Sequence, residues 1–332
     1  MPEISVVIPT RDRQELLHEA IQSVIDQTHQ AKEIVIVDDA SAEAVSEQML
    51  RDKYGPSIMV VRNQESRGLA WARFRGVKFC TAEYVTHLDD DDLFDKNFLK
   101  DALGVFASNA EIEVLFVGVT GFGQFGQNFS ETQAKALSSM LFSENQLSLY
   151  GSELFPLMLK KVPMAFQRVV TNKSTWMAIS EFRMKAYAEV NAISDSNKIF
   201  DYLGGPLRDS EWSIYAASYC RKFALLNRPL YLQRCDGQGY SSREDQKMRH
   251  VEQSIIVKST IYLASDKLER LIKWKKEIKN SVEEVLFDAA YYYLNARLPG
   301  EARRCLYLSF KIRPTMAQLK LLFKTFLPRR FF

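Results

Sequence analysis

The first third of the chain alternates short apolar runs with segments of helical periodicity. Between Leu16 and Ile25, apolar side chains recur at the spacing of one helix face. This alternation predicts an α/β fold whose mostly parallel sheet carries helices on both faces. In such sheets, ligands bind at the carboxyl ends of the strands. The predicted strands are 4–8, 34–37, 57–62 and 84–88, with helices over 16–25, over 42–53 and from Gly68 onward.

The rest of the chain changes character twice. Residues 111–245 are less regular and contain one predicted strand at Val114–Val119. After residue 246 the pattern is helical, and residues 283–313 resemble a single helix–turn–helix unit of tetratricopeptide type. One such unit cannot form a solenoid. We therefore expect one large domain over 1–245 and a helical C-terminal extension over 246–332.

Composition excludes several classes of protein. The net charge of +3 is too small to argue for nucleic-acid binding. The four cysteines form no C-x-x-C pair, and the first residues lack the pattern of a signal peptide. No run approaches 18 consecutive apolar residues, so no membrane-spanning helix is predicted. The expected location is cytoplasmic.

The end of the chain carries a distinct charge pattern. Residues 311–332 contain six basic side chains and no acidic one, with large apolar residues between them. A basic amphipathic tail of this kind can lie on an anionic membrane surface, which would place the protein peripherally on the cytoplasmic face. The alternative is a last helix that packs on the body and ends in a frayed basic terminus.

Four consecutive carboxylates, Asp89 to Asp92, follow the apolar strand at 84–88. Two like charges about 4 Å apart repel by roughly 1 kcal/mol even in water, so this run favours a counter-cation. In extended backbone, alternate side chains share one side, and an Asp-x-Asp pair can hold a divalent cation that also bridges phosphate oxygens. Oxygen ligands favour Mg²⁺ or Mn²⁺. The alternative is a solvated acidic turn or a helix N-cap.

Three weaker signals follow the other strands. Asp38 and Asp39 come directly after a strand, where a carboxylate can accept the N3–H of uracil. Their alternative role is to cap the helix predicted over 42–53. Pro9, Thr10 and Arg13 follow the first strand, where Thr10 could approach a nucleotide and Arg13 could equally be a surface charge.

The segment after the third strand contains a glycine and several arginines. Gly68 permits a tight turn and a close approach of backbone to ligand. Arg73, one turn inside the following helix, could meet a phosphate. Arg67 precedes the glycine, and the alternative for both arginines is exposure on an ordinary helix.

Taken in order, these stretches resemble the family-2 glycosyltransferases of GT-A fold. The segments are ISVVIPTRDR, EIVIVDDAS, N-x-x-x-RGLA-x-AR and YVTHLDDDD, within about residues 3–100. The resemblance implies a nucleotide-sugar donor, usually a UDP-sugar, a divalent metal and inversion at the anomeric carbon. It also implies that residues 1–120 bind the donor and residues 121–245 form the acceptor side.

The resemblance assigns roles to individual residues. Thr10 and one of Asp38 and Asp39 would contact the nucleoside. Asp89 and Asp91 match an Asp-x-Asp motif, while Asp91 with Asp92 matches the family's acidic pair, so which two bind the metal stays open. The wider donor-binding set comprises Pro9, Thr10, Arg13, Asp38, Asp39, Arg67, Gly68, Arg73, Asp89, Asp90 and Arg234, and the metal set comprises Asp89, Asp91 and Asp92.

The same resemblance calls for a carboxylate base late in the catalytic domain. Asp209 is the expected base and Glu211 the second choice, although Arg208 stands where the family commonly has Glu. The alternative for Asp209 is the N-cap of a helix. Arg234 lies where the family often has a loop that closes over the diphosphate, but the usual histidine is absent.

The expected function is an inverting transfer of a sugar to a hydroxyl of a glycan or lipid-linked oligosaccharide, in surface polysaccharide or lipopolysaccharide biosynthesis. Two alternatives remain. A sugar-phosphate nucleotidyltransferase should carry a Gly-rich loop after the first strand, and residues 9–13 contain no glycine. A catalytically silent nucleotide-binding or scaffold protein is compatible with the helical extension.

Overall fold

The protein is described by a computed structural model. The description covers residues 2–131, 147–160, 168–194, 209–236 and 244–326.

The first half builds the strands and helices that the apolar pattern predicts. Each of the first three strands is followed by a helix that returns the chain to the end of the sheet where the strand began. The next strand therefore runs parallel to the one before. The elements are β1 (Ile4–Thr10), α1 (Gln14–Ile25), β2 (Glu33–Asp38), α2 (Glu47–Tyr54), β3 (Ile58–Arg62), α3 (Leu69–Phe79), β4 (Tyr84–His87), β5 (Leu93–Phe94) and α4 (Phe98–Ser108).

The second half adds strands to the same sheet and ends in helices. Its elements are β6 (Val114–Phe122), β7 (Leu147–Tyr150), α5 (Leu154–Lys160), β8 (Val169–Asn172), α6 (Lys173–Ser194), α7 (Asp209–Tyr219), β9 (Phe223–Arg234), α8 (Glu244–Ala264), α9 (Glu269–Ile272), α10 (Lys275–Asn295), α11 (Pro299–Ile312) and α12 (Met316–Lys324).

The described strands form one nine-stranded mixed sheet. The order is β3-β2-β1-β4-β8-β6-β9-β5, with β7 also paired to β9. Strands β1 to β4 are parallel, β8 is antiparallel to both β4 and β6, and β6 runs parallel to β9. Most strands therefore point the same way, and the predicted mostly parallel sheet is confirmed.

Alternation along β1 divides its side chains between the two faces of the sheet. Ile4, Val6 and Ile8 join the core under α1 and α4. Val7 faces the other way, toward Gly76 of α3. Both faces are therefore covered by helices, which explains why β1 is buried along its whole length and reads as a continuous apolar run.

Several element boundaries differ from the sequence prediction, most of them by one or two residues. The helix expected over 42–53 begins only at Glu47. Residues before it are held in a loop because the backbone N–H of Val45 donates to the Asp38 carboxylate at 3.2 Å, and the Ser46 hydroxyl caps the helix. Strand β1 also continues through Pro9 to Thr10 rather than ending at residue 8.

The chain divides into two compact units. The first comprises Met1–Arg183 and Pro206–Gly239, and the second comprises Met184–Gly205 and Tyr240–Phe332. The second unit has its own apolar core between α8, α10, α11 and α12. Its longer segment begins at Tyr240, near the junction expected at 245/246. Its shorter segment, residues 184–205, was placed on the acceptor side by the sequence.

Among the described helices, none combines the length and the apolar character needed to cross a bilayer. All four cysteines are free thiols.

Close packing of α3 on the sheet gives a stability prediction. A Cβ at Gly76 would lie 2.5 Å from Cγ1 of Val7 and 2.9 Å from Cγ2 of Val37. Gly76→Ala should therefore lower the free energy of unfolding by about 1–3 kcal/mol through overpacking. Chemical denaturation measures this, with Gly104→Ala as the matched helical control. Gly104 has no atom within 4 Å of the added methyl, so that variant should gain about 0.5–1 kcal/mol. Equal effects of the two variants would contradict this packing.

Candidate active site

The site lies where β1, β2 and β4 end together. Because these strands are parallel neighbours, their carboxyl ends meet at one edge of the sheet, with Thr10 in register with Asp38. The acidic run begins two residues after His87, the last residue of β4. The predicted residues at the ends of strands 1, 2 and 4 are therefore brought to one edge.

Three of the four consecutive aspartates point at a common volume. Carboxylate oxygens of Asp89, Asp91 and Asp92 all lie within 4.8 Å of one another. Asp92 is buried, while Asp89 and Asp91 are half-buried and open to solvent on one side. These are the residues named from the sequence as the metal set. The fourth, Asp90, is buried and points elsewhere, where it accepts a hydrogen bond from the Thr10 hydroxyl at 2.7 Å.

Two arginines supply positive charge to the acidic run. The Arg13 guanidinium donates to Asp91 at 2.8 Å and to Asp90 at 3.3 Å, and its side chain is 41% exposed. Arg73 is fully buried and pairs with Asp89. Because breaking this buried ion pair would leave an uncompensated charge in the interior, Arg73 is a fixed counter-charge, whereas the half-exposed Arg13 can turn into solvent.

Asp92 is positioned by β9 on the far side of the cluster. The buried Tyr231 hydroxyl donates to Asp92 at 2.7 Å, and the backbone N–H of Arg234 donates to its other oxygen at 2.8 Å. The Arg234 side chain donates to the backbone carbonyl of Asp91 at 2.9 Å. Arg234 thus holds the acidic loop in place and also pairs with Glu19 at 2.5 Å.

The environment opposes charge on these carboxylates. Burial raises the pKa of Asp90 to about 6, despite the opposing influence of the Thr10 hydrogen bond and of Arg13. Burial and the neighbouring Asp89 charge raise the pKa of Asp91 as well. For Asp92 the pKa lies well above the usual range, again from burial first and then from Asp89 and Asp91. A cation at the cluster would offset this penalty.

The donor set fits a hard divalent cation. Asp89, Asp91 and Asp92 offer only oxygen ligands, they converge, and one side faces solvent, where further ligands such as phosphate oxygens could complete the coordination. Among the described residues, no other group of three or more His, Cys, Asp or Glu side chains converges in this way.

Asp38 and Asp39, at the end of β2, hold the surrounding loops. Asp39 accepts four hydrogen bonds: from the Asn63 amide at 2.6 Å, the Ser66 hydroxyl at 2.8 Å, and the backbone N–H groups of Arg67 and Gly68 at 3.1 and 2.9 Å. These donors fill its lone-pair positions. Burial raises the pKa of Asp39, but these hydrogen bonds outweigh it and hold the pKa below the usual value.

Asp38 is equally occupied. Its side chain is completely buried, accepts from the backbone N–H of Ser41 at 2.8 Å and pairs with Arg62. Since the carboxylates of Asp38 and Asp39 are both bound to the chain itself, a uracil N3–H would have to displace one of these donors. The contact of either residue with a nucleoside stays a prediction.

Two residues next to the strand ends adopt left-handed backbone. Asp12 has φ 56° and Ala40 has φ 64°. The two loops interlock, because the N–H of Asp12 donates to the Ser41 hydroxyl and the Asp12 carboxylate accepts from the N–H of Ala42. Strain at non-glycine residues clusters at functional sites, which agrees with the position of these loops at the acidic edge.

The remaining residues predicted to bind the donor, Gly68, Arg67 and Pro9, lie in different surroundings. Gly68 has φ 85°, so the glycine is required by the turn that brings its N–H to Asp39. Arg67 is exposed, and its guanidinium lies 5.2 Å from the centre of the Trp71 ring. Pro9 lies inside β1, where its register partner is Val37.

The two candidate bases begin α7. Asp209 is its first residue, but its side chain lies outside the described part of the chain, as does Arg208. Glu211 is fully buried. Burial and then the neighbouring Glu211 charge raise the pKa of Tyr215 well above its usual value. Glu211 is enclosed in this conformation, and the choice between Asp209 and Glu211 as the base stays a prediction.

Aromatic rings connect the start of α7 to the end of β4. The Trp212 ring stacks on Trp176 with centroids 6.2 Å apart, and Trp176 lies 5.6 Å from the His87 ring. All three side chains are buried. This stack fixes the position of α7 relative to the strand that leads into the acidic run.

Sequence reasoning missed Tyr231, which holds Asp92, and the nearby buried Arg168. Tyr231 lies in an apolar strand, where a tyrosine is an ordinary core residue, and only the pairing of β5 with β9 brings it to Asp92. Arg168 is almost completely buried. Burial lowers its pKa to about 10, while the nearby Tyr231 acts in the opposite direction. No local pattern in the sequence marks either residue.

Comparison with known proteins finds similarity in the first half of the chain. Residues 5–159 match the sequence profile of glycosyl transferase family 2. Over 103 residues the chain is 32% identical to TuaG of Bacillus subtilis, a putative teichuronic acid biosynthesis glycosyltransferase. This alignment covers 31% of this chain and 41% of TuaG. In two further curated relatives the matched segment spans only 25% and 22% of the protein.

Solved structures share the fold at low identity. The structure of TarS 1–349 of S. aureus in complex with UDP superposes with a TM-score of 0.58 and 14% identity, covering 98% of this chain and 89% of TarS 1–349. A mannosyltransferase of Pyrobaculum calidifontis, in complex with GDP-Man and Mn²⁺, gives 0.53 and 15%, covering 97% and 79%. The expected GT-A type fold with C-terminal helices is thereby confirmed.

Arg13 and Asp91 lead to opposite predictions for cation binding. Arg13→Gln should strengthen Mn²⁺ binding by up to about fivefold, because a half-exposed ion pair that competes for Asp91 contributes at most about 1 kcal/mol. Asp91→Asn should weaken it strongly. Electron paramagnetic resonance of free Mn²⁺ measures both without substrate. Arg11→Gln is the matched control, since Arg11 contacts Ser66 and Asp12 instead of the cluster. Unchanged affinity in Asp91→Asn would show that the cation binds elsewhere.

Proposed function

From the match of residues 5–159 to glycosyl transferase family 2 we propose that the chain is a member of this family and catalyses inverting sugar transfer from a nucleotide-sugar donor. The observation that carries the proposal is the convergence of Asp89, Asp91 and Asp92 at the carboxyl end of β4. This edge of the sheet is where a nucleotide binds in folds of this kind. A carboxylate cluster there serves a diphosphate through a shared divalent cation.

Mn²⁺ or Mg²⁺ held by these carboxylates would neutralise the diphosphate as it leaves. The protein's own groups prepare the site for it. Tyr231 and the Arg234 backbone hold Asp92 in place, and Arg73 fixes Asp89. Arg13 occupies the open side of the cluster and would yield to a cation. The P. calidifontis neighbour, which binds Mn²⁺ with its nucleotide sugar, supports this assignment.

The transfer is a single displacement. The acceptor hydroxyl oxygen forms a bond to the anomeric carbon while the bond from that carbon to the diphosphate oxygen breaks. The proton of the hydroxyl passes to a carboxylate base, for which we propose Asp209, the first residue of α7. No covalent enzyme intermediate is needed, and the configuration at the anomeric carbon inverts.

The donor is proposed to be a UDP-sugar and the acceptor a hydroxyl of a glycan or lipid-linked oligosaccharide. UDP in the TarS structure supports the nucleotide, and the name of TuaG supports a role in surface polysaccharide synthesis. The nucleoside would approach Thr10, Asp38, Asp39 and the turn at Gly68. A cytoplasmic location, as expected from the sequence, is part of the same proposal.

A silent nucleotide-binding or scaffold protein is the second candidate. Its motivation is the absence of the usual acidic residue at position 208 and of a histidine in residues 234–241. Such a protein would bind the nucleotide sugar without releasing nucleoside diphosphate, so the measurements below separate it from an enzyme.

Release of nucleoside diphosphate tests the role of the cation. With a panel of UDP- and GDP-sugars, the wild-type protein should release nucleoside diphosphate in the presence of Mn²⁺. It should lose this activity in excess chelator. Asp91→Asn should be inactive because the cation loses a charged ligand. Asp95→Asn is the control, since Asp95 lies just beyond the cluster and binds the backbone N–H of Asn97. Full activity in chelator would rule out the metal-dependent reaction.

Asp209→Asn separates chemistry from binding. Loss of a general base should lower kcat by about 10²–10⁴-fold, while the thermal shift produced by the donor with Mn²⁺ stays as in wild type. Glu211→Gln is compared in parallel, with circular dichroism as the check on folding. If Asp209→Asn retained most of its rate and folded Glu211→Gln lost it, Glu211 would be the base. If none of these proteins released nucleoside diphosphate, a catalytically silent nucleotide-binding or scaffold protein would be favoured.

A further inference from the structure

The last described helix, α12, exposes an apolar stripe to solvent. Its side chains are large and open, with exposures of 43% to 68%. They recur at intervals of three and four residues, so they share one face of the helix and its end. We call this set the outer stripe. It comprises Met316, Leu319, Phe323 and Phe326.

The opposite face fixes the helix on its own unit. Leu321 and Gln318 are buried, and the Gln318 amide donates to the Ser309 hydroxyl of α11 at 2.7 Å. Thr315 and Gln318 form a capping box at the first turn. The orientation of α12 is therefore set by polar contacts and packing, and the exposure of the outer stripe follows from a docked helix.

Positive charge borders the stripe. Lys320 and Lys324 each follow a stripe residue by one position, which places them along one edge of the same exposed arc. Residues 311–326 contain four basic and no acidic side chains. The Arg303 guanidinium of α11 lies 4.8 Å from the centre of the Phe326 ring, which adds a fifth cation beside the stripe.

We propose that the outer stripe and its lysines dock on an anionic lipid bilayer, with α12 lying parallel to the membrane surface. Apolar side chains on one arc would enter the boundary between headgroups and acyl chains, while the adjacent lysines meet lipid phosphates. This proposal does not depend on the proposed sugar transfer. Residues 327–332, the remainder of the basic tail expected from the sequence, lie outside the described residues.

Charge decides between a membrane and a second copy of this chain. A two-fold contact would set the same patch against itself and bring the basic residues that border the outer stripe together from both copies. Like charges brought close together repel, and residues 311–326 contain no acidic side chain that could pair with Lys320 and Lys324. An anionic lipid surface offers both an apolar phase for the stripe and negative charge for the lysines.

Vesicle sedimentation of the full chain tests the surface. The protein should sediment with phosphatidylglycerol-rich vesicles at low salt, and much less with pure phosphatidylcholine or near 1 M salt, where the screening length is about 3 Å. Lys320→Gln with Lys324→Gln should lower partitioning about 25-fold, since each basic residue near such a surface contributes about fivefold. Met316→Ser with Phe323→Ser should lower it at least about tenfold.

Matched variants control for nonspecific effects. Lys276→Gln with Lys279→Gln removes two exposed charges from α10, and Met49→Ser removes a side chain that is 70% exposed on α2. Both should bind as wild type does, and circular dichroism should be the same for all variants. Two outcomes would overturn the proposal. One is a Met316/Phe323 variant that binds like wild type. The other is a wild-type dimer in sedimentation velocity that this variant converts to monomer.

Discussion

Repulsion among four adjacent carboxylates at the end of β4 is the interaction on which the rest of the site depends. Two such charges about 4 Å apart repel by roughly 1 kcal/mol in water and about 4 kcal/mol near a protein surface. The fold offsets this with Arg73, which is buried, and Arg13, which is half-exposed at the protein surface. One permanent and one removable counter-charge keep the cluster folded and leave room for a cation.

The two acidic pairs at this edge of the sheet have different tasks. Asp38 and Asp39 accept hydrogen bonds from the chain at nearly every lone pair, so they tie the loops after β2 and β3 to the strand ends. Asp89 and Asp91 keep one side open to solvent. Carboxylates that look equivalent in the sequence therefore differ in the number of hydrogen-bond donors that the chain places around them.

Several features were predictable because local pattern controls them. Strand and helix alternation in residues 1–100 gave the parallel half of the sheet, since a buried parallel strand must be a continuous apolar run. The helix over 42–53 was predicted too long because nothing local reveals that Asp38 would take the N–H of Val45. Tyr231 escaped notice for a similar reason, because its contact with Asp92 spans 139 positions.

The sequence by itself determined the α/β alternation, the acidic run and the basic amphipathic end of the chain, because each depends on the order of neighbouring residues. Only the tertiary structure decided that Asp89, Asp91 and Asp92 converge while Asp90 turns to Thr10. Four identical side chains carry no local information about direction. Their orientation follows from the donors that distant strands place around them.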